Sequence, residues 1–418
     1  MGDRSARQKL AAILESHRGT LIRLCSELTA ADSQNPPGDT SKAADLCVSF
    51  LKAVPGVEAR KIVGKEPVAN VLARLAGQAG EGRRLVFNGH LDTGLVPEAD
   101  RWSVPPFGGV VRDNRIYGRG VADMKAGIAA QLVAVAALAA VRDSLRGEVV
   151  LTLVGDEGTG AKWGTLYLLD RFPQAQGDAM ISGDVGSPLV ARFGEKGFLW
   201  LEIVARGKSA GGAHAYLGIN AIDRLTDALE HVRALEAYDC RLSPDIAQAI
   251  DVAAPISERL HGKGETRALK SVSVNVGMIE GGRRINAVPS IASARVDIRF
   301  PAGVTSDDLL RTLDKRLAAV PDVEVRVLDR AEPNWTEPGA EIVQLLRKNA
   351  TEVMGRAPVL STRLGFSDAR HYRERGVASI GYGATAHNGN APDEYVEIED
   401  LVILLRTYGL TAFDYLNA

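Results

Sequence analysis

Apolar residues recur at helical spacing through residues 1–30, with Leu10, Ile13, Leu14, Leu21, Leu24 and Leu28 on one face. That spacing predicts an amphipathic helix. Gln34-Asn35-Pro36-Pro37-Gly38-Asp39 breaks it, and Thr40 or Ser41 is placed to cap a second helix through Leu51. Residues 68–75 and 85–87 are short apolar runs that predict strands. Residues 101–117 predict a loop with a hairpin at Asp113-Asn114. An Ala-rich helix opening at Asp123 follows, then the β-rich run 149–154, a helix near 166–170 and a strand at 179–182. Strands alternating with helices predict an α/β sheet, and acidic residues just past successive strand ends lie where such sheets place ligands.

The texture changes after Arg192. Strands are predicted at 198–204, 271–278 and 292–300, with a Gly-rich run at 207–212 and helices from Ile219 past Leu235 and over 304–318. This reads as a smaller α+β domain inserted into the first. Residues 323–328, a helix from Ala340, a strand at 377–382 and a helix from Ile398 read as the first domain resumed. The expected division is 1–192 and 305–418 for the main domain and 193–304 for the insert.

A chain of 418 residues exceeds one ordinary hydrophobic core, in keeping with two domains. Its 45% hydrophobic and 24% charged residues fit a globular protein, and a net charge of −2 gives no basis for binding nucleic acid or an anionic membrane. The longest apolar helix, over 128–141, is mostly alanine and too short for a bilayer span. Cys25, Cys47 and Cys240 lack close pairing and the N-terminus lacks a secretory core, so a reducing, cytoplasmic setting is expected.

Candidate chemistry gathers between Leu85 and Gly127. The run 85–87 stops at Asn88-Gly89-His90-Leu91-Asp92, and after a loop comes Gly118-Arg119-Gly120-Val121-Ala122-Asp123-Met124-Lys125. Two residues apart in extended chain, His90 and Asp92 project to the same side. One can face a metal while the other orients it. Asp123 brings a hard carboxylate to the same end of the sheet. Each has a plainer reading: a polar strand end for His-x-Asp, a helix N-cap for Asp123.

With Gly155-Asp156-Glu157, Gly218-Ile219-Asn220-Ala221-Ile222, Asn286-Ala287-Val288-Pro289, Ser367-Asp368-Ala369-Arg370 and Pro392-Asp393-Glu394-Tyr395-Val396 also in order, the chain resembles a known family. It is similar to the co-catalytic zinc hydrolases that include carboxypeptidase G, acetylornithine deacetylase, succinyl-diaminopimelate desuccinylase and the aminoacylases, from about residue 10 to 415. The resemblance implies a metallopeptidase (phosphorylase/hydrolase-like) α/β catalytic domain with an inserted α+β lid or dimerisation domain. It implies a first metal held by His90, the bridging Asp123 and Asp184, with Asp92 orienting His90. In the family a second metal shares the bridge and adds a Glu and a late His, and the Glu beside that ligand is the general base.

The chain departs from that pattern. Ungapped alignment puts Glu157 on the general base and Gly158 on the second metal's Glu, while counting back from Glu394 puts Asn390 on the late His. A slipped alignment makes Asp156 the base, Glu157 a ligand and His387 the late His. The insert's usual Ala-His-Gly is replaced by Ala210-Gly211-Gly212-Ala213-His214. His214 is then either a substitute oxyanion donor or a loop histidine; without that donor amide cleavage would lose about 3–4 kcal/mol. Asn286 and Arg299 match lid positions that hold a substrate carboxylate.

The resemblance and its departures imply a hydrolase cleaving a C–N bond of a small carboxylate-bearing substrate with one metal-activated water. One divalent metal per subunit is expected: zinc, manganese or cobalt. Hydrolytic deamination of an aromatic amine, as in the 5-nitroanthranilate aminohydrolase branch, fits the missing oxyanion histidine. The alternatives are a dinuclear zinc peptidase, amidase or deacylase of N-acyl or N-carbamoyl amino acids, and a non-catalytic ligand-binding relative. The expected assembly is a homodimer or a larger oligomer built from dimers.

Overall fold

The computed structural model describes residues 2–418, with side chains from Arg4 onward. The chain divides into two units, one comprising the chain up to Phe193 with Trp335–Ser361 and Ser367–Ala418, the other Gly194–Asn334 with Thr362–Phe366.

The larger unit is built on a mixed sheet. Arg84–His90 lies at its centre, flanked in parallel by Glu148–Val154 and Ala179–Ser182, with Ala378–Gly381 parallel to the latter. Val57–Lys65 and Val68–Ala76 extend one side as an antiparallel pair. The central strand is buried on both faces, as parallel strands covered by helices are. On one side pack Gly2–Ser16, Arg18–Ala30, Ser41–Lys52, Ala126–Ala139, Glu341–Met354 and Ile398–Leu416, which bury Leu10, Leu24, Leu132, Leu346 and Leu405 in one core. A second core over the other face gathers Val86, Val150, Leu168, Met180 and Tyr372.

The smaller unit is a four-stranded antiparallel sheet in which Ile291–Phe300 lies between Ser273–Gly281 and Gly197–Arg206, with Val323–Ala331 on the far side of the latter. Helices Ala221–Arg233 and Ser306–Leu317 bury Leu225, Leu229, Leu309 and Leu313 against Ile203, Val296 and Ile298. A capping box, Thr305 with Asp308, starts the second helix.

Several expectations are corrected. The helix expected over 1–30 is two, parted at His17. The insert does not end at 304: Val323–Ala331 pairs antiparallel with Gly197–Arg206, and Ser306–Leu317 packs in the insert's own core. The helix expected from Asp123 begins at Ala126, because Asp123 (φ −123°, ψ 84°) and Met124 are not helical. The apolar stretch is not too short either. Val121–Ala139 has the length and mean hydropathy (1.6) of a membrane span, but 89% of it is buried, which accounts for its apolarity as core. Val57–Lys65 and Pro244–His261 were not foreseen. Asp113 and Asn114 have left-handed φ (53° and 58°) and join Val110–Arg112 to Arg115–Tyr117, as a tight hairpin requires.

Candidate active site

Three neighbouring parallel strands end on the same edge of the sheet, so Glu157, the pair His90 and Asp92, and Asp184 leave it side by side. Asp123 reaches them on the segment before Ala126–Ala139. Two close approaches make that route feasible. Gly120 has φ +76° and a Cβ there would meet Thr93 Cγ2 at 2.1 Å, and a Cβ on Gly127 would meet the Gly183 carbonyl at 2.1 Å, beside Asp184.

The His90 Nδ1–H donates to the Asp92 carbonyl at 2.9 Å, which leaves Nε2 facing Asp123 Oδ1 at 2.9 Å. One atom each from His90, Asp123 and Asp184 lies within 4.8 Å of the others. Burial alone would lower the His90 imidazolium pKa, but the carboxylates of Asp123 and Asp92 outweigh it and hold it well above the ordinary histidine range. A field that favours a proton on His90 equally favours a divalent cation among these atoms. One imidazole and two carboxylates form a donor set suited to zinc, manganese or cobalt, so the residues fit a metal.

Asp92 ties that cluster to Glu157. Its carboxylate is 2% exposed and accepts from the Glu157 amide (3.2 Å), the Gly158 amide (3.1 Å) and Asn35 Nδ2 (2.9 Å). Burial works to raise its pKa, but His90 and these donors hold it below the usual carboxylate range. Glu157 goes the other way: burial raises it well above that range, Asp368, Asp184 and Asp123 add to the rise, and His90 opposes it. A carboxyl that prefers to carry a proton beside a cation-binding cluster is suited to shuttle one.

The positions expected to lack second-metal ligands present a different picture. Gly158 has no donor atom, and a Cβ there would meet only Asp92 Oδ2, at 3.4 Å. Asn390 Oδ1 accepts from Arg119 Nη2 at 2.9 Å, and Arg119 also bonds Glu394 (2.9 Å) and the Gly94 carbonyl (3.0 Å). His387 is stacked on Tyr395, with centroids 4.6 Å apart and planes 7° from parallel. Asp156 Oδ2 accepts from the Trp163 amide at 2.7 Å. Among the described residues, the cluster of His, Cys, Asp and Glu side chains close enough to hold a metal is His90, Asp123 and Asp184.

Three expected substrate residues belong to the insert. His214 is exposed, and its Nδ1 lies 3.9 Å from where a Gly211 Cβ would begin, an ordinary van der Waals approach. Asn286 is exposed, and its carbonyl accepts from the Gly212 amide at 2.7 Å. Arg299 donates through Nε to Asp297 (2.8 Å) and its guanidinium lies 5.4 Å from the ring centroids of both Phe198 and Phe366.

Sequence reasoning missed Asn35, read only as part of a helix-breaking turn, and Asp368, quoted only within a motif. Both Asp368 carboxylate oxygens are buried without a hydrogen-bond partner among the described residues. Burial first, then Asp92 and Asp156, push this carboxyl up to about 6 against His371 and His90. No sequence signal marks either residue, because their partners are distant in the chain.

Residues 86–414 match the model of peptidase family M20/M25/M40. A succinyl-diaminopimelate desuccinylase of Rhodospirillum centenum is 30% identical over 398 residues, 93% of each chain. The fold is also that of an M20 family metallo-carboxypeptidase from Sulfolobus solfataricus, with TM-score 0.77, 20% identity and coverage of 95% of this chain and 98% of that one. A Bacillus subtilis dinuclear metal-binding peptidase of the M20 family superposes with TM-score 0.67 at 13% identity, covering 96% and 99%. With a family match over most of its length and a metal-type cluster at the sheet edge, the chain belongs to peptidase family M20/M25/M40 and is a metal-dependent hydrolase of amide-type C–N bonds.

Proposed function

We propose that this enzyme is a one-metal hydrolase of a small N-acyl amino acid bearing a carboxylate, with N-succinyl amino acids the first class to test. The observation that carries the one-metal reading is the bond between Arg119 and Asn390. An amide ligates a cation through its oxygen, and this oxygen already faces a guanidinium, which can only donate. A second cation at Asn390 would break that bond and sit beside a buried positive charge. Gly158 offers no compensating carboxylate. The substrate class is supported by the desuccinylase relatives and by an Arg fork at Arg299 suited to a carboxylate.

A divalent metal held by His90, Asp123 and Asp184 would supply Lewis acidity and make water a nucleophile near neutral pH. Glu157 then accepts the water's proton and delivers it to the leaving nitrogen, while Asp92 holds both the His90 ring and the Glu157 turn. Within the insert, His214 is the candidate for the oxyanion-donor role that Gly211 cannot fill. A second reading, hydrolytic deamination of an aminobenzoate, is favoured by Gly211, because an electron-poor ring needs no carbonyl oxyanion donor. For assembly, the edge strand Ser273–Gly281 exposes Met278 and Ile279, with Ile291 exposed nearby, which supports pairing of two copies through the insert.

The test is metal content per subunit beside turnover of N-succinyl, N-acetyl and N-carbamoyl amino acids and of aminobenzoates. One metal with succinyl or acetyl turnover is expected. Two tightly bound metals, both needed for turnover, would overturn the one-metal reading, and turnover of aminobenzoates alone would replace the amide substrate.

A further inference from the structure

We infer that Asn35 is a positioning residue that closes a ring of hydrogen bonds around the turn carrying Glu157. The catalytic part of this inference rests on Glu157 being the proton carrier proposed above. The side-chain amide of Asn35 has two hydrogens and both are used: Nδ2 donates to Asp92 Oδ2 at 2.9 Å and to Thr159 Oγ1 at 3.1 Å. Asp92 in turn accepts the backbone amides of Glu157 and Gly158. The path from Asn35 through Asp92 to the Glu157 amide, along the chain to Thr159 and back is closed, with Glu157 on the enclosed segment and the Gly158 amide bonded to the same carboxylate.

The ring is anchored. Asn35 N–H donates to the Thr93 carbonyl at 2.7 Å, Thr93 N–H to Ser33 O at 2.9 Å, and Ser33 Oγ–H to Leu91 O at 2.7 Å. Residues 33–35 therefore run beside 91–93 as a short parallel strip, with a bridge between Gln34 and Thr93. The amide orientation is forced, since a carboxylate only accepts. Without Asn35, Asp92 would still hold His90 and the two backbone amides, but nothing would tie Thr159 to that carboxylate. The turn could then tilt about Asp92 and carry Glu157 off line, an error to which positioned acid–base groups are sensitive.

Metal-loaded wild type, Asn35→Ala, Thr159→Val and the double variant are compared by hydrogen exchange of the Glu157 and Gly158 amides, metal content, and kinetics on N-succinyl amino acids. Asn35→Ala should speed exchange roughly 5- to 10-fold, the loss of about one hydrogen bond. It should lower kcat roughly 10- to 100-fold, the range for outer residues that orient a site, with KM and metal content unchanged. Thr159→Val should show a smaller version of both effects, and the double variant should be no worse than Asn35→Ala, because both break one ring. Unchanged exchange in Asn35→Ala, or additive losses in the double variant, would overturn the ring. If Asn35→Ala fails to fold, Thr159→Val decides through the same exchange measurement. Absence of turnover in wild type would defeat the functional proposal alone, since exchange reads the ring without catalysis.

Discussion

The two sides of the site solve the same electrostatic problem in opposite ways. On one side His90, Asp123 and Asp184 bring one imidazole and two carboxylates within 4.8 Å of one another, a donor set suited to a cation from outside. On the other, Glu394 is already met by Arg119, with the two side chains 1% and 7% exposed, and Asn390 completes the guanidinium's partners. The first side offers ligands to a metal; the second pairs its carboxylate with the chain's own guanidinium. A buried charge is costly unless paired, so each side is stable only in its own way.

Metal removal tests that contrast with the largest effect. Stripping the enzyme with a chelator should abolish turnover, and titration should restore it fully at about one equivalent per subunit, because among the described residues one cluster has the donors for a metal. A requirement for two equivalents would show that the Arg119 side also takes a metal.

Next in size is Glu157→Ala, expected to reduce turnover roughly 10²–10⁴-fold while the metal stays bound, the usual range for loss of a general acid–base. His90→Ala should instead lose metal. If Glu157→Ala lost the metal and kept chemistry once saturated, Glu157 would belong with the ligands and the one-residue slip in the alignment would be right.

How much of this was legible in the sequence follows from where the signals lie. The strand ends that present His90, Glu157 and Asp184 stand out because apolar runs stop abruptly at polar residues. Val57–Lys65 was missed because an edge strand exposed along half its length, with Glu58, Arg60 and Lys61, has no apolar run to find. Pro244–His261 was missed with Pro255 inside it, a residue that ordinarily ends helices. The extent of the insert was misjudged because a strand's pattern does not name its partner: Val323–Ala331 pairs with residues more than a hundred positions earlier. Asn35 was invisible for the same reason, since its bonds reach 57 and 124 residues along the chain.

Rebuilding the second side as a metal site sharpens the comparison further. Gly158→Glu is sterically admissible, as its Cβ would make only ordinary contact with Asp92. Combined with Asn390→His it should add a second bound metal, measured by elemental analysis, without raising turnover of the natural substrate. The new cation would sit beside the Arg119 guanidinium and should bind more weakly than the first. A large gain in turnover would mean that the vacant side limits the enzyme and is not adapted to its substrate.

The smallest effect is the most discriminating, because it separates a structural amide from a ligand. Asn390→Ala leaves Arg119 Nη2 without this acceptor. Arg119 is 6% exposed, so the unmet donor should cost about 1–3 kcal/mol in urea denaturation. Asn390 also has φ +59°, a region in which asparagine is better tolerated than alanine, so the loss should lie toward the upper end. Asn390→Asp keeps an oxygen for the guanidinium and should recover most of the stability. In both variants metal content should stay at the wild-type value, since neither touches His90, Asp123 or Asp184. Were Asn390 a ligand to a second cation, Asn390→Ala would instead drop the metal content by one while Arg119 kept its other partners, Glu394 and Gly94, and stability in metal-free protein hardly changed. Denaturation of the metal-free protein beside elemental analysis of the loaded one therefore decides which group Asn390 serves.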